Sequence, residues 1–263
     1  SICYYSGWLQ KNTSSIGHLV SMTDDDKNGF MTAINGMDPK KGLDILIHTP
    51  GGEIAALESL GQYLRAKFGT DNRAFVPKIA KSAGTMLACC AIEIVMGKQS
   101  NIGPFDPQMG GLPAHGILEE VEKAKQEMME DHRTIPFWSF NLQKLHPTFI
   151  GECEKAIKWA SEIVSEWLIS GMFNGEDDAR HKAELICGRL NDHSTTYAHA
   201  RHIHMDKARE IGLKIVSLED DQELQDLVLT IHHSYMHTFG SSTAVKIIEN
   251  HNGSTMIWHA GNQ

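Results

Sequence analysis

Apolar positions in the first half of the chain fall into short runs separated by longer helical stripes. Leu43 to His48 is a nearly continuous apolar run, the pattern of a strand covered on both faces. Glu53 to Phe68 follows with Leu57, Leu60 and Leu64 on one stripe, which predicts an amphipathic helix. Ile2 to Tyr5, Arg73 to Ala80 and Ile92 to Met96 read as further strands, the last ended by Gly97. Ser82 to Ala91 reads as a helix between two of them, Asn28 to Met37 as a short helix, and Ser6 to Asp26 as a polar loop. Strands alternating with helices at this spacing predict βαβ units and a mostly parallel sheet.

After a Pro- and Gly-rich loop over Ser100 to Gly116 the pattern turns helical. Ile117, Val121, Ala124 and Met128 form one stripe. Ile157, Ala160, Val164 and Leu168 form another within a helix from Glu152 to Ile169, flanked by Trp159 and Trp167. Such faces fit a core or a contact between subunits, and the expected assembly is a homo-oligomer. Asp206 to Ile211 is a short helix with Gly212 at its C′ position. Leu213 to Val216 is a strand. Ser217 opens a capping-box-like start to a helix through Leu224, Leu227, Val228 and Ile231. Two β-prone runs, Ala244 to Asn250 and Thr255 to Ala260, surround Asn252-Gly253 and predict a hairpin. The expected division is a main domain over 1–216 and a C-terminal helix and hairpin extension over 217–263.

Composition narrows the functional classes. With 263 residues and 41% hydrophobic content the chain can build a sizeable core. Its net charge of -9, without a basic cluster, argues against a nucleic-acid groove. The apolar stretches are too short to span a bilayer, and no signal peptide is legible. The chain opens on Ser1 within a predicted strand, so a membrane anchor upstream is conceivable and membrane association would depend on it. An odd set of cysteines (Cys3, Cys89, Cys90, Cys153, Cys187) without paired spacing favours a reducing, cytoplasmic setting.

Two segments carry the chemistry. The run ending in Thr49-Pro50-Gly51-Gly52 offers backbone N–H groups that a ligand can approach closely, because glycine lacks a Cβ. Lys81-Ser82-Ala83-Gly84-Thr85 places a hydroxyl where a strand turns into a helix, beside unpaired N–H donors. Ser82 is also well placed to cap that helix, and the diglycine to make a tight turn. A hydroxyl nucleophile with two sets of donors is what acyl transfer requires.

Six segments resemble, in order, the serine dehydrogenase proteinase family of the Clp/crotonase superfold, related to signal peptide peptidase A and the Clp proteolytic subunit. They are Tyr4 to Leu9, Leu43 to Gly52, Val76-Pro77 with Ala80 to Met86, Val95 to Gly97, Gly103 to Gln108, and Lys207 to Leu213. The resemblance implies an α/β spiral of ββα units, assembly into rings or stacked oligomers, and hydrolysis of peptides without a cofactor or metal. It makes Ser82 the nucleophile and Gly52 and Ala83 the oxyanion donors. On the residues themselves, Gly51 and Asp106 are expected at the substrate site, where Asp106 orients a base or shapes the pocket, or else simply starts a turn ahead of Pro107.

The general base is less well marked. Where Clp subunits carry histidine, this chain reads Phe105-Asp106-Pro107-Gln108. Lysine-using relatives point to Lys123, although Glu119, Lys123 and Glu127 are also spaced like a solvated, ion-paired face. His199 resembles a family histidine just before the Ala208 to Leu213 segment, and His115 precedes the first long helix. Lys81 adjoins the serine, but neighbouring strand side chains point apart. The clustered histidines His193, His199, His202 and His204, and the i, i+4 pair His233 and His237, fit no standard zinc spacing. Two other functions use the same architecture: an acyl-CoA enzyme of the hydratase type, and an inactive scaffold that binds peptides.

Overall fold

A computed structural model describes residues 1–191 and 201–261. The chain runs β1 (Ile2–Ser6), α1 (Gly17–Val20), α2 (Asp26–Ile34), β2 (Leu43–His48), α3 (Ile54–Phe68), β3 (Asn72–Val76), β4 (Ile79–Ala80), α4 (Ala83–Cys89), β5 (Glu93–Met96) and β6 (Asn101–Ile102). A small hairpin of β7 (Gln108–Met109) and β8 (Leu112–Pro113) leads into α5 (Ala114–Glu130), α6 (Ile135–Leu142), α7 (Phe149–Trp167) and α8 (Ala179–Asn191). The chain then forms β9 (Ile203–His204), α9 (Met205–Ile211), β10 (Ile215–Ser217), α10 (Gln222–Ser241), β11 (Ala244–Asn250) and β12 (Thr255–His259).

Seven strands make the central sheet in the order β10-β5-β3-β2-β1-β11-β12. The pairs from β10 to β1 are parallel; β11 joins β1, and β12 joins β11, antiparallel. Alternate side chains of each strand enter different layers. Tyr4, Ile45, Ile47, Ala74, Val76 and Ile94 pack under the helices that include α3, α4 and α7. Tyr5, Leu46, Phe75 and Val95 pack on the opposite face against Val228 and Phe239 of α10. The mixed α/β architecture with a mostly parallel sheet is the one expected. The C-terminal hairpin is part of that sheet, since β11 pairs with β1 along its whole length, from Ile2 opposite Asn250 to Ser6 opposite Lys246.

The predicted strand from Arg73 to Ala80 breaks at Pro77, which cannot donate to the ladder. Its first half, β3, stays in the main sheet; β4 leaves to form a three-stranded sheet in the order β4-β6-β9. That break brings the serine to the C-terminal edge of the main sheet, beside the end of β2. The polar stretch 6–26 holds α1 and a β-bridge from Met22 to Gly52, neither of which has an apolar period to announce it. Helices α6 and α8 add to the helical half beyond the two apolar stripes; α8 buries Ala183, Ile186 and Leu190.

Candidate active site

Ser82 stands between β4 and α4 with φ 49° and ψ −119°. It is the one non-glycine residue with positive φ among those described. Such a conformation costs on the order of 1–3 kcal/mol and persists only where the surroundings impose it. Here they do. Gly84 N–H donates to Lys81 O at 2.7 Å, and Met86 N–H to Ser82 O at 3.1 Å. The Thr85 hydroxyl donates to Gly103 O at 2.8 Å and accepts from Gly103 N–H at 3.1 Å, locking α4 to the end of β6. Ser82 occupies the N-cap position, yet its side chain makes no capping hydrogen bond. Its half-buried hydroxyl has no hydrogen-bond partner among the described residues and stays free for other chemistry.

The diglycine meets the serine directly. Gly51 has φ 102°, and a Cβ there would lie 2.7 Å from Ser82 Cβ and 3.1 Å from Ala83 N. A Cβ at Gly52 would lie 2.2 Å from Met22 O, so only glycine fits. Met22 N–H donates to Gly51 O at 2.8 Å, and Glu53 N–H donates to Met22 O at 3.0 Å. Thr49 N–H donates to Ile79 O at 3.3 Å and Lys81 N–H to Thr49 O at 3.1 Å, so the two loops are laced together. The N–H groups of Gly52 and Ala83 find no acceptor among the described residues. Ala83 N–H is also the first donor of α4, where the helix dipole favours negative charge.

Gly51, Gly52 and Ser82 open onto a groove of about 690 Å³ whose walls include His18, Phe105, Met109 and Trp159. Asp106 is fully buried between two groove residues, Phe105 and Pro107, and accepts from Gln108 Nε2 at 3.1 Å. It lies behind the wall rather than on it.

The predicted bases are dispersed. Lys123 sits on the exposed face of α5, 3.9 Å from a Glu120 carboxylate oxygen and 5.7 Å from the Trp138 ring, and is not a groove wall. His115 lies in the first turn of α5, its Nε2 buried and without a partner. His199 and His193 lie outside the described residues. Lys81 is half-buried, and burial lowers its amine below the ordinary lysine range. Its stem runs along Gly103, where a Cβ would come 3.2 Å from Lys81 Cγ, and it is not among the groove walls. His202 feels that cation after burial as a second influence lowering its imidazole. His18, on α1, is the imidazole on the groove wall. A lone histidine in a polar stretch carries no periodic signal, so nothing in the local sequence marks it. Among the described residues no group of three His, Cys, Asp or Glu side chains could hold a metal ion.

A mostly parallel α/β sheet with a serine at positive φ ahead of a helix, and N–H groups at Gly52 and Ala83 that lack an acceptor among the described residues, fits a ClpP-like α/β fold. The chain belongs to the family of ClpP-like SDH-type serine proteinases, whose model matches residues 15–252. It is similar to two uncharacterized proteins of Methanocaldococcus jannaschii. MJ0137 is 27% identical over 215 residues, covering 81% of this chain and 65% of its own length. MJ1495 is 30% identical over 194 residues, covering 74% and 59%. The chain therefore spans less than two thirds of the length of these curated relatives. No described helix is long and apolar enough to cross a membrane.

Proposed function

We propose that this chain is a serine peptidase that cleaves peptide bonds through an acyl-enzyme. Ser82 Oγ attacks the scissile carbonyl, and the N–H groups of Gly52 and Ala83 receive the oxyanion. The observation that carries this reading is the uncapped Ser82 hydroxyl at positive φ, on a groove that Gly52 also lines, with no hydrogen-bond partner among the described residues for it or for the N–H groups of Gly52 and Ala83. Strain held at one residue is a mark of a functional position, and preorganised donors aimed at the oxyanion do more than any other group to lower the barrier to acyl transfer. The groove suits a peptide, with Phe105, Met109 and Trp159 among its apolar walls.

Ser82 must lose its proton as it attacks. His115, His199 and Lys123 are proposed acceptors, and His18 joins them because it faces the groove. Lys123 has the least support. Its ammonium is exposed beside Glu120 on α5, and it is not among the groove walls. A second copy of the chain is part of the proposal, and five free thiols support a reducing compartment.

A fluorophosphonate probe should label the protein, and Ser82→Ala should abolish labelling; labelling that survives in Ser82→Ala refutes the nucleophile. The pH dependence of labelling in His18→Ala, His115→Ala, Lys123→Ala and His199→Ala then identifies the acceptor.

A further inference from the structure

Met22 is clamped from both sides by a buried polar network that the site itself does not use. Lys246 of β11 and Asp26 at the start of α2 form an ion pair, each only 1% exposed. Lys246 Nζ also donates to Ser21 O at 2.8 Å. Asp26 Oδ2 accepts from Tyr4 OH at 2.7 Å and from Thr23 N–H at 3.3 Å. Ser6 Oγ, opposite Lys246 in the β1–β11 register, donates to Val20 O at 2.7 Å. The backbone is thus held at Val20, Ser21 and Thr23. Met22, between them, has its own N–H and C=O committed to Gly51 and Glu53.

A buried ion pair is seldom retained for stability alone, because desolvation offsets most of its attraction. This one directs hydrogen bonds onto the residues on either side of Met22, which fixes the diglycine. Met22 bonds to Gly51 and Glu53 on either side of Gly52, and a Cβ at Gly52 would lie 2.2 Å from Met22 O, so the position of the 21–23 segment bears directly on that of Gly52. We propose that Lys246, Asp26 and Tyr4 are positioning residues for the Gly52 oxyanion donor, acting through Ser21–Thr23. The inference rests on the peptidase reading for its catalytic consequence, but its structural half stands apart from that reading. It also gives the C-terminal hairpin a part in the site, since β11 supplies the ammonium.

The test is the full-length double variant Asp26→Asn/Lys246→Met, which removes both charges together and leaves neither buried alone. Tyr4→Phe, which removes only the hydroxyl, stands in should the double variant fail to fold. Amide hydrogen exchange is followed at Met22 and Glu53, with Ile45 and Phe75 as sheet references. Fluorophosphonate labelling is measured as a limiting rate and a half-saturating concentration. The expected result is exchange at Met22 and Glu53 faster by about tenfold while the references stay protected. The limiting rate falls by about tenfold with the half-saturating concentration unchanged, since a misplaced donor weakens the transition state and not the ground state. Unchanged exchange at Met22 and Glu53 overturns the proposal. So does a uniform rise across the sheet, which would mark a purely structural role. A wild-type protein that never labels defeats the peptidase reading alone, and the exchange data still decide the clamp.

Discussion

At the residue scale, the site is a set of positions where ordinary backbone preferences are overridden. Ser82 holds a conformation that glycine adopts freely and L-residues resist. Ser82→Gly should therefore raise stability by about 1 kcal/mol while eliminating labelling, the usual opposition of stability and activity at a strained site. A melting temperature at or below the wild-type value would show that Ser82 carries no strain. Gly52→Ala places a methyl group 2.2 Å from Met22 O and must push the bridge apart. The expected loss in limiting labelling rate is on the order of a hundredfold, as when one oxyanion donor is removed. Full activity in that variant would place the donor elsewhere. The loops bearing Ser82, Gly51 and Gly52 were legible because serine before a small-residue helix start, and paired glycines after a strand, are local signals, and the fold brings the two loops together. Lys246 gave none: a lysine in a β-prone run reads as surface, and only the fold puts Asp26 next to it.

At the scale of elements, α10 packs on the sheet through an aromatic and imidazole cluster that includes His48, which directly precedes the Thr49 to Gly52 loop. His48, at the end of β2, is fully buried, and neither ring nitrogen has a close hydrogen-bond partner among the described residues. Its ring centroid lies 4.5 Å from Trp8 and 5.1 Å from His232 of α10, while Tyr5 stacks on Tyr235 at 4.1 Å. Burial pushes the His232 imidazole down to about 4, helped by His233 and Lys78. Burial likewise holds His48 well below its ordinary 6.5, with His232 and Lys78 adding repulsion. Both rings are neutral in the folded chain, whereas the unfolded chain binds protons once pH falls below about 6.5. Stability from this cluster is complete above that value and declines as pH drops from 6.5 towards 4. Urea unfolding followed across that range should show the decline, and His232→Phe should flatten it. A wild-type slope retained in His232→Phe would assign the protons to other groups. The helices α3, α7 and α10 were legible from their apolar period. The break of one predicted strand into β3 and β4 was not, because Pro77 could equally sit at a strand edge until the second sheet is seen.

At the scale of the whole molecule, the C-terminal hairpin closes one side of the sheet and covers β1. A chain ending at residue 216 would expose the β1 edge and lose α10 with the core layer of Tyr5, Leu46 and Phe75. It should fail to show a cooperative thermal transition; a truncated protein that melts sharply would show that 217–263 is dispensable. The helical half carries large exposed apolar side chains, among them Met129 at 73%, Phe137 at 62% and Phe140 at 59%. In the proposed homo-oligomer these lie at the contact between copies, so Phe137→Ser with Phe140→Ser should reduce the sedimenting mass towards one chain. An unchanged mass would locate the contact on another face.

Local pattern alone determined the alternation of strands and helices, the hairpin at Asn252-Gly253, and the loops bearing Ser82 and the diglycine. Each depends on residues within one or two turns of chain, where periodicity, glycine and helix-start chemistry act directly. Tertiary structure decided which polar groups meet. It set Met22 against Gly52, laid β11 on β1 so that Lys246 reaches Ser21, and left Lys123 in solvent away from the groove. Those outcomes follow from strand register and burial, which join positions as far apart as 26 and 246, and no window of sequence contains both.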